Sequence, residues 1–159
     1  MEGSELHPDV RRRLHLAGVA KAWLKWPSKN RREFKAIIDV LDLDEEVVSV
    51  FDCFPGRWSF KGGLLFITDR RLVYLSLRFF RRRFISITFD SIRQARVRPF
   101  AGGLELVIET NSGKAHTFSR GLGGMKYFSP IFGELEKKLG DRVTGLDAVA
   151  AWLDDKRHQ

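Results

Sequence analysis

The chain carries a single cysteine, Cys53. No intrachain disulfide can form, so the fold rests on packing and hydrogen bonds, as suits a reducing compartment. Cys53 lies in the strand-like run VVSVFDCF with no histidine or cationic cluster beside it, and reads as a small buried hydrophobe. Long apolar runs are missing too. None approaches the roughly 18 residues that a membrane-crossing helix needs. The N-terminus is charged from its second residue and lacks the apolar core of a signal peptide. These absences set the expectation of a cytoplasmic protein, at most peripheral at the inner face of the membrane.

Catalytic and metal-binding patterns are equally scarce. His7, His15, His116 and His158 are scattered and share no ligand spacing. There is no nucleophile elbow, no zinc-protease helix and no carboxylate pair in a recognisable setting. The glycine-rich stretch 121–124 precedes a helix but lacks the Gly-Lys-Ser/Thr ending of a phosphate loop, and Lys126 is misplaced for that role. It reads as a connection between a sheet and a helix. Neither catalysis nor a cofactor is expected.

Positive charge is what the sequence has in excess. Over 159 residues the net charge is +8 and the pI about 10, which biases the protein toward anionic lipid, acidic protein or nucleic acid. The excess is localised: residues 55–100 hold eleven Arg/Lys against two Asp, while residues 44–54 hold four acids and no base.

Hydrophobic periodicity divides the chain. A first helix is expected over residues 8–26, with Leu16, Val19, Ala20, Trp23 and Leu24 on one face and Arg12 and Arg13 intruding on it. A second follows to about Asp42, with Asn30 and Glu33 as a capping box and Phe34, Ile37, Ile38 and Leu41 at helical spacing. The two are expected to pair as a hairpin against a sheet. The alternative is a basic amphipathic helix at a membrane, with Trp23 and Trp26 at the interface. From Glu46 the period becomes strand-like, giving seven runs near 46–54, 62–68, 71–78, 83–89, 92–98, 103–110 and 114–119. No gap between them is long enough for a crossover helix, so the sheet is antiparallel. Ser129 as cap, Pro130 as first residue and Gly140 as terminator mark a further helix. A last helix over about 145–155 takes Thr144 as its cap.

Seven antiparallel strands and a closing helix resemble the pleckstrin-homology (PH) fold. The acidic lead-in Leu43-Asp44-Glu45-Glu46-Val47, the run Gly63-Leu64-Leu65-Phe66-Ile67-Thr68-Asp69-Arg70-Arg71-Leu72 and the later Phe89-Asp90-Ser91-Ile92 resemble the pattern of bacterial PH-like domains of the YokE-like or GRAM-like group. The resemblance covers about residues 44–139. It implies an α+β fold: a PH-like seven-stranded antiparallel bent sheet or partly open barrel capped by a C-terminal helix, with an N-terminal helical hairpin and an extra C-terminal helix. The implied division is an N-terminal helical extension over 1–43, the PH-like domain over 44–140 and a C-terminal helix and tail over 141–159. Thr68 and Asp69 suit a tight turn through side-chain to backbone hydrogen bonds, so this motif specifies structure.

The resemblance also implies that the loops between strands 1–2 and 3–4 line the open end of the sheet, where many PH domains bind their ligands. Both loops here set cations beside aromatics: Arg57, Trp58 and Lys61 in the first, and Phe79, Phe80, Arg81, Arg82 and Arg83 in the second. Arginine forks onto phosphate or carboxylate oxygens, and aromatic rings add apolar contact. Near an anionic bilayer each basic side chain contributes about 1 kcal/mol, so four or five together give weak, salt-sensitive binding. Arg93, Arg96 and Arg98 form a secondary basic surface, with Arg96 and Arg98 sharing strand parity and Arg93 on the opposite face. The expected function is a non-enzymatic binding or adaptor module for an anionic membrane surface or a protein partner. A nucleic-acid-associated protein using the same field and a homo-oligomeric assembly component are the other readings.

Overall fold

In a computed structural model, which describes residues 6–24, 31–56, 62–78, 81–121 and 128–158, the strand-like part of the sequence forms two four-stranded sheets. The first is antiparallel, in the order β1 (Val47–Cys53), β2 (Gly63–Thr68), β3 (Arg71–Arg78), β4 (Arg81–Thr88). The second consists of β5 (Ile92–Phe100), β6 (Gly103–Thr110), β7 (Ala115–Gly121) and β8 (Val143–Thr144), in the order β7-β6-β5-β8. The described residues form no closed barrel; a bridge between Phe54 and Ser119 joins the sheets on one side. All seven expected strands are present. The eighth, β8, pairs parallel to β5 through Ala95 and Arg96 and is too short to show a period in sequence.

Four α-helices lie among the described residues: α1 (Pro8–Trp23), α2 (Arg31–Val40), α3 (Ile131–Leu139) and α4 (Leu146–Arg157). Their placement explains why β2 and β3 read as continuous apolar runs. Leu65, Ile67, Leu72 and Tyr74 face a core shared with the second sheet and plugged by Phe128, Ile131, Phe132 and Leu135 of the α3 region. Leu64, Phe66, Val73 and Leu75 face the other way, against Leu16, Ala20 and Leu24 from the α1 region and Ile37 of α2. A sheet buried on both faces needs apolar residues at every position. The two N-terminal helices thus pack on the sheet as a hairpin.

Two expected caps are replaced by other contacts. Helix α3 begins after Pro130 with no side-chain cap, so Ser129 does not serve; its carbonyl accepts from the Phe132 N–H at 3.2 Å. Thr144 belongs to β8, and α4 is preceded instead by Gly145 at φ 90°. A Cβ at Gly145 would lie 1.9 Å from the Val97 carbonyl oxygen, so only glycine fits where the chain leaves β8. Of the proposed capping box, Asn30 lies outside the described residues, and Glu33 points to β3.

The signature turn between β2 and β3 is locked by a buried carboxylate. Glu45, whose side chain is fully buried, takes a two-pronged contact from Arg71, with Nε to Oε1 and Nη2 to Oε2 both at 2.8 Å. The Thr68 hydroxyl donates to Oε1 at 2.8 Å and the Asp42 N–H to Oε2 at 3.1 Å. Arg71 also reaches the Val40 carbonyl and the Ser86 hydroxyl, each at 3.2 Å. One ion pair therefore fastens the end of α2, the acidic lead-in, the β2–β3 turn and β4. Around it Thr68 Oγ1 accepts the Arg70 and Arg71 N–H groups at 3.1 and 3.0 Å, and Asp69 exchanges bonds with the Glu46 backbone. Arg70 pairs with Asp44 on the surface.

Burial alone would raise the Glu45 pKa, but the bonds from Arg71, Thr68 and Asp42 outweigh it and hold the carboxyl at about 2, against an ordinary 4.5. A carboxyl depressed in the folded state stabilises fully above its unfolded pKa, and that stability disappears as pH falls through the folded value. The loss should therefore run from about pH 4.5 down to about pH 2 and amount to on the order of 3 kcal/mol. Glu45→Gln is expected to flatten this acid limb. Arg71→Ala, which strands a buried carboxylate, should cost about 3–5 kcal/mol. Urea-unfolding midpoints measured across that pH range check both.

Candidate functional site

Among the described residues, strand β3 outruns its neighbour β2. Pairing between them ends at Leu64 opposite Leu75, whereas β3 and β4 stay in register to Arg78 opposite Arg81. Residues 76–78 and 81–83 thus form a two-stranded overhang beyond the edge of β2. Its root is held by the Glu33 carboxylate, which accepts from the Leu77 N–H at 3.4 Å, and by the Ser76 hydroxyl, which donates to the Gly62 carbonyl at 3.1 Å.

Arg81, Arg82 and Arg83 lie on this overhang. They are part of β4 rather than of a five-residue turn, because the β3–β4 ladder continues three pairs beyond Phe84, where the apolar residues of β4 end. All three are exposed. Alternation sets Arg82 on the face of Phe84 and Ser86, and its guanidinium carbon stands 5.7 Å from the centre of the Phe84 ring. Phe84 pairs with Leu75, which α1 and α2 help to bury completely, yet Phe84 itself is 41% exposed. The helical cover stops one strand short of the edge.

The other predicted residues divide in two. Arg57, Trp58, Lys61, Phe79 and Phe80 lie outside the described residues. Arg93, Arg96 and Arg98 are on β5; Arg96 and Arg98 alternate with buried Ala95 and Val97 on one face, as expected, but Arg93 is not on the opposite one. A register shift between Ile92 and Gln94 resets the alternation, so Arg93 and Arg96 both converge on Glu109, Arg93 at 2.8 Å. The hydrogen bond from Arg93 holds the Glu109 carboxyl below its ordinary range, with Arg96 adding to it. Arg98 pairs with Glu105, which is buried although its strand parity suggested an outward residue. This secondary basic surface is largely neutralised from within.

Pairing with carboxylates sorts the sheet arginines. Arg70, Arg71, Arg93, Arg96, Arg98 and Arg120 each face one, whereas Arg81, Arg82 and Arg83 have no carboxylate partner among the described residues. Their field reaches the β6–β7 region. His116 has its pKa lowered by burial and then by the positive charges of Lys114 and Arg83. Nothing in the spacing could have joined Arg83 to Lys114 and His116, because they come from different sheets. Burial pushes the Cys53 thiol well above its ordinary pKa, with Asp52 contributing, so it is not poised as a nucleophile. A cavity of about 590 Å³ lies between α1 and the acidic lead-in, with His15 bonded to the Val47 carbonyl at 3.0 Å and Arg12 bonded to the Asp42 carbonyl. Among the described residues no group of three or more His, Cys, Asp or Glu is placed to hold a metal.

This sorting separates arginines that build the fold from those that do not. Charge reversal at Arg81, Arg82 or Arg83 should move stability by no more than about 0.5 kcal/mol. Arg98→Ala, which takes a cation from a buried carboxylate, should cost about 1–3 kcal/mol. Thermal or urea unfolding of the single variants distinguishes the two classes.

A family model described as "Bacterial PH domain" matches residues 41–121, just over half of the chain. The match supports the bacterial PH assignment and not the narrower YokE-like or GRAM-like grouping. No curated protein matches the sequence. Among solved structures, the C-terminal domain of an unknown protein from Leishmania infantum is 18% identical, with 69% of this chain and 93% of that one covered and a TM-score of 0.49. The hSac2 domain of human phosphoinositide phosphatase Sac2 is 10% identical, with 76% and 86% covered and a TM-score of 0.51, a likeness of fold.

Proposed function

We propose that this chain, which belongs to the bacterial PH domain family, is a non-enzymatic binding module that docks an anionic membrane surface or an acidic protein partner. The observation that carries the reading is that Arg81, Arg82 and Arg83 on an exposed overhang have no carboxylate partner among the described residues, whereas Arg71, Arg93, Arg96, Arg98 and Arg120 each face one. Arg82 over Phe84 gives a contact surface that is cationic and apolar at once. Arg57, Trp58, Lys61, Phe79 and Phe80 belong to the same proposed surface through the chain segments that flank it. PH-like domains are in general binding modules, which favours this reading over catalysis. No helix among the described residues is long and apolar enough to cross a membrane. In the membrane form of this reading the protein works in the cytoplasm, peripherally at the inner face.

Three arginines at about 1 kcal/mol each amount to about 3 kcal/mol, or roughly 150-fold in affinity. The full chain should therefore bind phosphatidylserine vesicles or poly-L-glutamate at low salt and release them as salt rises. The combined Arg81→Glu, Arg82→Glu, Arg83→Glu variant should lose about that factor. Sedimentation with anionic and neutral vesicles, and titration with poly-L-glutamate, measure it. Equal binding to neutral vesicles together with indifference to poly-L-glutamate would rule the reading out.

A further inference from the structure

Among the described residues β4 is paired on one side only, with β3. Alternate residues of such an edge direct N–H and C=O groups away from the sheet, a template for another strand. Proteins usually blunt an edge of this kind with proline, a bulge or shortness. Strand β4 has eight residues, contains neither proline nor glycine, and pairs with β3 without a register shift. Its arginines are gathered in the first half. The second half carries no charge and is formed by Phe84, Ile85, Ser86, Ile87 and Thr88.

That uncharged half lines a groove of about 500 Å³. Residues 84–87 form one wall, and the β6–β7 turn, including Asn111, Lys114 and His116, forms the other. The groove therefore combines a strand edge, exposed apolar surface at Phe84, side-chain hydrogen-bonding groups and Lys114 opposite, and Arg81, Arg82 and Arg83 precede it on the same strand. A bilayer is flat and offers no backbone groups to pair with an edge. A peptide strand satisfies both the edge and the charge.

We infer that β4 accepts an added strand from an acidic, extended peptide of a partner protein. Its carboxylates would face Arg81, Arg82, Arg83 and Lys114, and apolar residues of one parity would lie against Phe84 while those of the other lie against Ile85. Main-chain pairing supplies length-dependent affinity, and the arginines select acidic sequences. The inference rests on the anion-binding reading of the three arginines and narrows it to one kind of partner.

The test is selection of a displayed library of random peptides on the full chain at low salt. Peptides of about 12 residues suffice to span β4 at about 3.3 Å per residue. Selection should enrich sequences in which a run of Asp or Glu adjoins alternating apolar residues. Amide hydrogen exchange with an enriched synthetic peptide should show protection along residues 84–88. N-methylation of one alternate set of peptide amides should abolish binding while the other set is tolerated, because only one set faces the edge. The Arg81→Glu, Arg82→Glu, Arg83→Glu variant should bind the same peptide at least about 30-fold more weakly. Enrichment without acidic residues, protection elsewhere, or equal effects of the two N-methylated sets would overturn strand addition. Vesicle or poly-L-glutamate binding that depends on the three arginines, without any enriched peptide, would overturn it while leaving the anion-binding reading intact. Loss of every anionic interaction would overturn both.

Discussion

The two-pronged contact between Glu45 and Arg71 is the constraint on which the rest of the molecule depends. A carboxylate with no exposed surface tolerates its position only because Arg71, Thr68 and the Asp42 N–H together supply four hydrogen bonds. The donors come from two parts of the chain, the β2–β3 turn and the end of the lead from α2. The same contact that satisfies one buried charge therefore fixes where α2 ends, how the chain enters β1, and how the β2–β3 turn sits against β4. It also gives the signature turn a physical meaning. Thr68 is required both to close the turn and to meet Glu45, and Arg71 is required as a fork that a lysine could not reproduce.

Fixing the hairpin at its base leaves its far end free. Arg71 pairs with Thr88, and seven residues further along β3 the ladder reaches Arg78 opposite Arg81, well past the end of β2. The overhang is short and anchored at its root by Glu33 and Ser76, and it carries the three arginines. The charge pattern follows the same logic. Where arginines lie over the body of the sheets, acids from neighbouring strands or the lead-in meet them. On the overhang no neighbouring strand among the described residues supplies one.

The sequence shows clearly what local chemistry specifies. Thr68 and Asp69 announce a turn because they bond to backbone within a few residues. The apolar runs at 64–67 and 72–75 announce a sheet buried on both sides. Phe34, Ile37 and Leu41 announce a helix packed on one face. Features that depend on distant partners stay hidden. The shift between Ile92 and Gln94 that brings Arg93 to the side of Arg96 has no signal in composition. Glu33 looks like a capping residue and instead supports β3 from across the fold. Glu105 looks solvated by alternation and is buried under Arg98. The three arginines look like a turn because their charge interrupts the apolar alternation, yet ladder pairing carries the strand through them. Only after the carboxylate partners are placed can a reader tell a structural arginine from a binding one.

The central claim is this division of labour among the arginines, and side-chain resonances report on it directly. Arginine Nε–Hε signals of the isotope-labelled full chain can be followed during titration with poly-L-glutamate at low salt. Shifts confined to Arg81, Arg82 and Arg83 among the assigned sheet arginines, with Arg71, Arg93, Arg96, Arg98 and Arg120 unmoved, are the result this account predicts. Comparable shifts at the carboxylate-paired arginines, or none at residues 81–83, would contradict it.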